Sequence, residues 1–85
     1  MEKKKLEFNN VIINESMDLR GVACPLNFVK AKLQLEKMLS NQILEVLLDS
    51  GEAIESVPPS LIEEGHVILL QEQVGNCFKV LIKKI

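Results

Sequence analysis

"SMDLRGVACPLNFVKAKLQLEKML", residues 16–39, runs from a strand pattern through a glycine turn into a helix pattern without a break. Its first five residues, Ser16–Arg20, alternate apolar and polar side chains, the period of a half-buried strand. Gly21 then permits a turn. Pro25 suits the first position of a helix, because the amide it lacks would have no intrahelical partner there. Lys30, Lys32, Gln34, Glu36, Lys37 and several leucines favour helix intrinsically, so the spacing predicts a helix from about Pro25 to Leu39. At about 100° per residue, Phe28, Ala31, Leu35, Met38 and Leu39 gather on one face, the predicted core face. Leu26, Val29 and Leu33 form a second, narrower apolar stripe, either roofed by neighbouring loops or offered to a partner.

Outward from this unit, Ile43–Ser50 reads as a strand rich in Val, Ile and Leu. GEAIESVPPSLIEEG (51–65) carries two adjacent prolines, which predict two short helical pieces, the second from about Pro59 to Gly65. HVILLQEQ (66–73) and NCFKVLIKKI (76–85) are two further strands joined across Val74-Gly75-Asn76. The order βαβαββ, with short right-handed crossovers, makes the first three strands parallel and the last antiparallel to its hairpin partner. The predicted fold is an α/β two-layer sandwich: a four-stranded mixed sheet with two helices on one face. The final strand is expected between two others. On it, Phe78, Val80 and Ile82 alternate inward, leaving Cys77, Lys79, Leu81 and Lys83 outward. Ile43, Leu47 and Leu81 are expected on the uncovered sheet face, and residues 6–13 are expected to cover that patch or the second helix stripe. Residues 1–15 read as an N-terminal arm or an extra strand, and 16–85 as a single domain.

Composition narrows the function. A chain of 85 residues makes one domain and buries about 60–65% of its unfolded surface. A net charge of −2 argues against a general nucleic-acid binder, which is usually basic. The longest apolar run, Val67–Leu70, is far too short to span a membrane. MEKKKLEFNN, the first ten residues, lacks an apolar run and a cleavage pattern, so no secretory signal is expected. Two distant cysteines suit reduced thiols in the cytoplasm better than a disulfide framework. One histidine, His66, with two scattered cysteines has no ligand spacing, so neither metal nor cofactor is expected.

Cys24 stands immediately before the helix. There the unpaired amides and the positive end of the helix dipole stabilise an anion, and the thiolate is the reactive form of a thiol. Arg20, four residues upstream, is a candidate source of further positive charge. Asp18 is its candidate ion-pair partner. On residue pattern alone the alternative stays open that Cys24 is a small buried gap-filler. Asp49, Ser50 and Glu52 should share the sheet edge with Cys24, either to recognise a basic partner or as ordinary solvated loop residues.

MDLRGVACPLNFVKAKLQLEKM, followed by ILEVLLDSGEAIESVP and a terminal hairpin, resembles the TusA/SirA-like sulfur-carrier family over about residues 16–84. The resemblance implies the same βαβαββ sandwich and a motif cysteine, Cys24, that accepts sulfane sulfur as a persulfide and passes it to another protein. Pro25 matches the first proline of the family's Cys-Pro-x-Pro motif, whereas Asn27 stands in place of the second. That exchange restores a backbone N–H and adds an amide, either of which is a candidate ligand for the terminal sulfur. By the same resemblance the donor is a cysteine desulfurase or rhodanese-like protein. The acceptors serve tRNA thiolation, molybdenum-cofactor enzymes or other sulfur metabolism. No membrane partner is implied. The alternative of another class is a non-catalytic protein- or RNA-binding module with an incidental cysteine; the absence of Trp and Tyr counts against its RNA form. Sulfur is expected on Cys24 and not on Cys77.

Overall fold

A computed structural model describes residues 7–8 and 11–85. The lysines at 3–5, assigned above to an arm, lie outside the described residues. Two short strands, β1 (Glu7–Phe8) and β2 (Val11–Ile12), pair antiparallel. Then come β3 (Glu15–Asp18), α1 (Leu26–Glu36), β4 (Ile43–Asp49), α2 (Glu52–Glu63), β5 (Val67–Val74) and β6 (Cys77–Lys83). The main sheet has the order β3-β4-β6-β5, with β3 parallel to β4 and β6 antiparallel to both of its neighbours. The last strand therefore completes the sheet from within. Both helices lie on one face, so the molecule is the two-layer α/β sandwich that the residue pattern predicts.

Strand alternation builds the core. Leu44, Val46 and Leu48 of β4 stand opposite Ile82, Val80 and Phe78 of β6, and all but Phe78 are fully buried. Onto this face α1 sets Ala31 and Leu35, and α2 sets Ala53, Val57 and Leu61. A central strand bonded on both sides leaves no ladder amide to water, which fixes its register and position.

Three expectations are corrected. Leu39, assigned to the core face, is 72% exposed. The helix ends at Glu36, and the amides of Lys37 and Met38 turn back to the carbonyls of Gln34 and Leu35, so Leu39 leaves the helical period. The end is capped from a distance: Lys84 Nζ donates to the Leu35 and Met38 carbonyls at 2.8 and 3.2 Å. Secondly, Glu52–Glu63 is one helix with Pro58 and Pro59 inside it, rather than two pieces. The prolines withdraw the amides due to the Ile54 and Glu55 carbonyls. Burial of Ala53, Val57, Pro58 and Leu61 along one stripe nevertheless holds both halves on one axis, tertiary packing outweighing local propensity. Thirdly, Cys77, assigned outward, is only 8% exposed, and Leu81 on the same strand only 1%.

The burial of Leu81 arises because the second face of the sheet is partly covered. Ile13 packs with Ile43, Leu81 and Leu70 in a small separate cluster. The segment is stitched down by Asn14, whose amide donates to the Ile43 carbonyl while its Oδ1 accepts from the Ile43 amide, at 2.9 and 2.7 Å. Ile13 thus supplies the cover expected of residues 6–13 on the sheet side. Among the described residues nothing roofs the helix stripe, and Leu26 and Leu33 are about half exposed and Val29 somewhat less.

Candidate functional site

Parallel β3 and β4 end at the same edge of the sheet, and each is followed by a short loop and a helix. The first loop turns at Gly21 (φ 80°) and the second at Gly51 (φ 89°), left-handed conformations that side chains disfavour. The loops are tied together where they leave the sheet: the Gly21 amide donates to Asp49 Oδ2 at 2.7 Å. Asp49, expected to be a partner-recognition residue or an ordinary solvated one, is thus an anchor of the loop that carries Cys24.

Between the loops lies a cleft of about 200 Å³. Cys24 and Asn27 line one side, and Asp49, Ser50 and Glu52 the other. The Cys24 thiol is exposed, and α1 starts two residues after it. Cys24 and Pro25 are joined by a cis peptide bond. The α1 amides of Asn27 and Val29 already donate to the carbonyls of Ala23 and Pro25. Among the described residues, the amides of Cys24 and Leu26 donate to no protein group. On the α2 side, Cys24 Sγ lies 3.8 Å from Ser56 Oγ. The Ser56 hydroxyl donates to the Glu52 carbonyl at 2.8 Å, which leaves its oxygen to accept from the thiol.

Of the residues singled out from sequence, Cys24, Asn27 and Asp49 come together in this cleft, with Pro25 at the helix cap. Arg20 does not line it. Its guanidinium grips Asp18 through two side-chain bonds, 2.9 and 2.6 Å long, and its amide adds a third at 3.0 Å. These bonds hold the Asp18 carboxyl down at about 2 and push the Arg20 pKa up, with Cys77 contributing a little to the latter. The charge expected beside Cys24 is therefore spent on Asp18. Cys77 itself starts β6 opposite Asp49, with Sγ 3.3 Å from the Val74 carbonyl.

The family model described as sulfurtransferase TusA matches residues 15–84. The chain belongs to this family. A candidate sulfur carrier protein of Archaeoglobus fulgidus is 42% identical over 82 residues, an alignment covering 95% of this chain and 93% of that one. The sulfur carrier protein TusA of Allochromatium vinosum is 28% identical over 71 residues, covering 84% and 93% respectively. Among solved structures, a SirA-like protein of Desulfitobacterium hafniense shares the fold with a TM-score of 0.70 at 20% identity, covering 81% of this chain and 95% of that one.

In the TusA-type cleft the sequence reading named Asn27 but not its burial, and did not name Ser56, which faces the Cys24 thiol. Ser56 falls on the first of the two expected helical pieces, but nothing in the linear pattern sets it opposite Cys24, remote in sequence. The burial of Asn27, only 1% exposed, was unexpected because amides are mostly found at the surface. The signal for it was present: Asn27, Ala31 and Leu35 follow one another at a four-residue spacing.

Proposed function

We propose that this protein is a sulfur relay that carries sulfane sulfur as a persulfide on Cys24. The observation that carries the reading is the contrast between its two thiols: Cys24 opens onto a cleft at the start of a helix, and Cys77 is buried in the central strand. In the loading step the Cys24 thiolate attacks the outer sulfur of a donor persulfide. The donor's S–S bond breaks, its thiolate departs with the electron pair, and Cys24–S–SH is formed with the proton retained. In the unloading step an acceptor thiolate attacks the outer sulfur in the same way and Cys24 thiolate is released. Each step exchanges one S–S bond for another, so no net redox change and no cofactor or metal is required.

Membership of the TusA family and the names of its relatives support a protein donor and a protein acceptor. The donor class is a cysteine desulfurase or a rhodanese-like protein. The acceptor belongs to tRNA thiolation, molybdenum-cofactor enzymes or related sulfur metabolism. We assign the relay to the cytoplasm, where thiols are kept reduced; none of the described helices is long and apolar enough to cross a membrane. The exposed stripe of Leu26, Val29 and Leu33 favours a second reading, a binding module that docks a protein and uses Cys24 for nothing.

Cyanolysis separates the two. After incubation with a cysteine desulfurase and cysteine, then removal of small molecules, cyanide should release one thiocyanate per chain. Release no greater than that from a Cys24→Ser variant would favour the binding module.

A further inference from the structure

Apart from the amides of Cys24 and Leu26 at the start of α1, free among the described residues, the cleft around Cys24 is poor in groups that welcome an anion. Asp49 and Glu52 on its far side offer carboxylates, which accept hydrogen bonds and repel negative charge. Arg20 is committed to Asp18 and does not line it. Asn27 is different. It lines the same cleft as Cys24 although only 1% of it is exposed, the one buried polar residue among those described. Its two ends are not equivalent. Oδ1 accepts from the Phe28 amide at 2.6 Å, which fixes the orientation of the side chain and sets Nδ2 opposite. Among the described residues Nδ2 donates to nothing. A buried NH₂ without an acceptor is costly, so its retention in a cleft wall calls for an acceptor that arrives there.

We propose that Asn27 binds the carried sulfur: with Oδ1 kept on the Phe28 amide, its Nδ2 donates to the outer sulfur of the Cys24 persulfide and favours the anionic form. This inference rests on the relay reading above. The added atom sits one S–S bond from Cys24 Sγ, about 2 Å, within a cleft of about 200 Å³ that Asn27 also lines. The acceptor thiolate attacks the outer sulfur of the neutral persulfide, so the anion is the stored form and takes up a proton from water before transfer. A neutral donor stabilises the anion without the tight ion pair that a lysine or arginine would form, so the sulfur stays transferable.

The test loads the protein with inorganic polysulfide, removes the excess, and follows alkylation of the persulfide by iodoacetamide across pH with intact-mass detection. Asn27→Leu keeps the volume and removes the donor. Its alkylation midpoint should lie about one pH unit above that of the wild type, making the reaction about tenfold slower below both midpoints. Asn27→Asp retains an acceptor for the Phe28 amide but has no NH₂, so it should rise at least as far while keeping the helix start intact. A wild-type midpoint in Asn27→Leu, or in Asn27→Asp, would overturn the inference and leave Asn27 only as the partner of the Phe28 amide. Loading with unshifted midpoints overturns this inference alone. Failure of the wild-type protein to hold sulfur on Cys24 overturns the relay reading and this inference together.

Discussion

Replacing Asp49 by alanine removes the acceptor that pins the Cys24 loop to the end of β4. The bond to be lost is short, 2.7 Å from the Gly21 amide to Asp49 Oδ2. A hydrogen bond to a charged group contributes about 1.5–3 kcal/mol when shielded. Gly21 is exposed and Asp49 only half-buried, so water replaces part of the interaction and about 1 kcal/mol is expected. For a domain of this size that is a fall of about 4–8 °C in Tm, measurable by thermal circular dichroism. The same change frees the loop between Gly21 and Pro25, so the rate of sulfur loading from a fixed polysulfide concentration should fall as well. Asp49→Asn retains an acceptor oxygen and should recover most of the stability. The reasoning fails if Asp49→Ala matches the wild type in both Tm and loading rate, or if Asp49→Asn loses as much stability as Asp49→Ala.

The two thiols should differ in reactivity with iodoacetamide by about 10³-fold or more, because Cys77 is reached only when the doubly paired β6 opens. Peptide mapping after brief labelling should find the label on Cys24; comparable early labelling of Cys77 would refute its burial. Lys84→Met keeps the aliphatic stem but frees the Leu35 and Met38 carbonyls, and should lower stability by about 1–2 kcal/mol in urea unfolding; an unchanged midpoint would deny the remote cap. His66 has its pKa lowered by burial, and to a lesser degree by the charge of Lys84. Below its ordinary value near 6.5 the unfolded chain takes up a proton that the folded chain resists, so stability should decline as pH falls through and below that value. His66→Gln should flatten this part of the urea-midpoint profile, and an unaltered slope would place its cause elsewhere.

The sheet was legible because its strands carry period-two alternation backed by a core. Leu44, Val46 and Leu48 on β4, with Val80 and Ile82 on β6, point the same way and are buried together. The strand directions followed from the short crossovers, and the interior place of the last strand from its ability to complete the parallel set from within. What alternation cannot show is whether the opposite face is bare. Leu81 shares a face with Lys79 and Lys83, and its burial depends on Ile13, remote in sequence. The prolines misled for a related reason: their local cost is certain, but the packing of Val57 and Leu61 that offsets it is a property of the assembled core. At the site, Cys24 and Asp49 were visible as loop residues after parallel strands. Arg20 was placed near the thiol by chain distance, whereas its bond to Asp18 two residues away prevailed. Ser56 belongs to geometry that no linear spacing announces, whereas the burial of Asn27 was signalled by its four-residue spacing to Ala31 and Leu35.

The central claim is that sulfur travels on Cys24. Incubation with a cysteine desulfurase and cysteine, followed by intact-mass analysis under non-reducing conditions, addresses it directly. The wild-type chain should gain the mass of one sulfur atom and lose it on treatment with a thiol. Cys77→Ser should behave like the wild type, and Cys24→Ser should gain nothing. Undiminished loading of the Cys24→Ser protein would contradict the account.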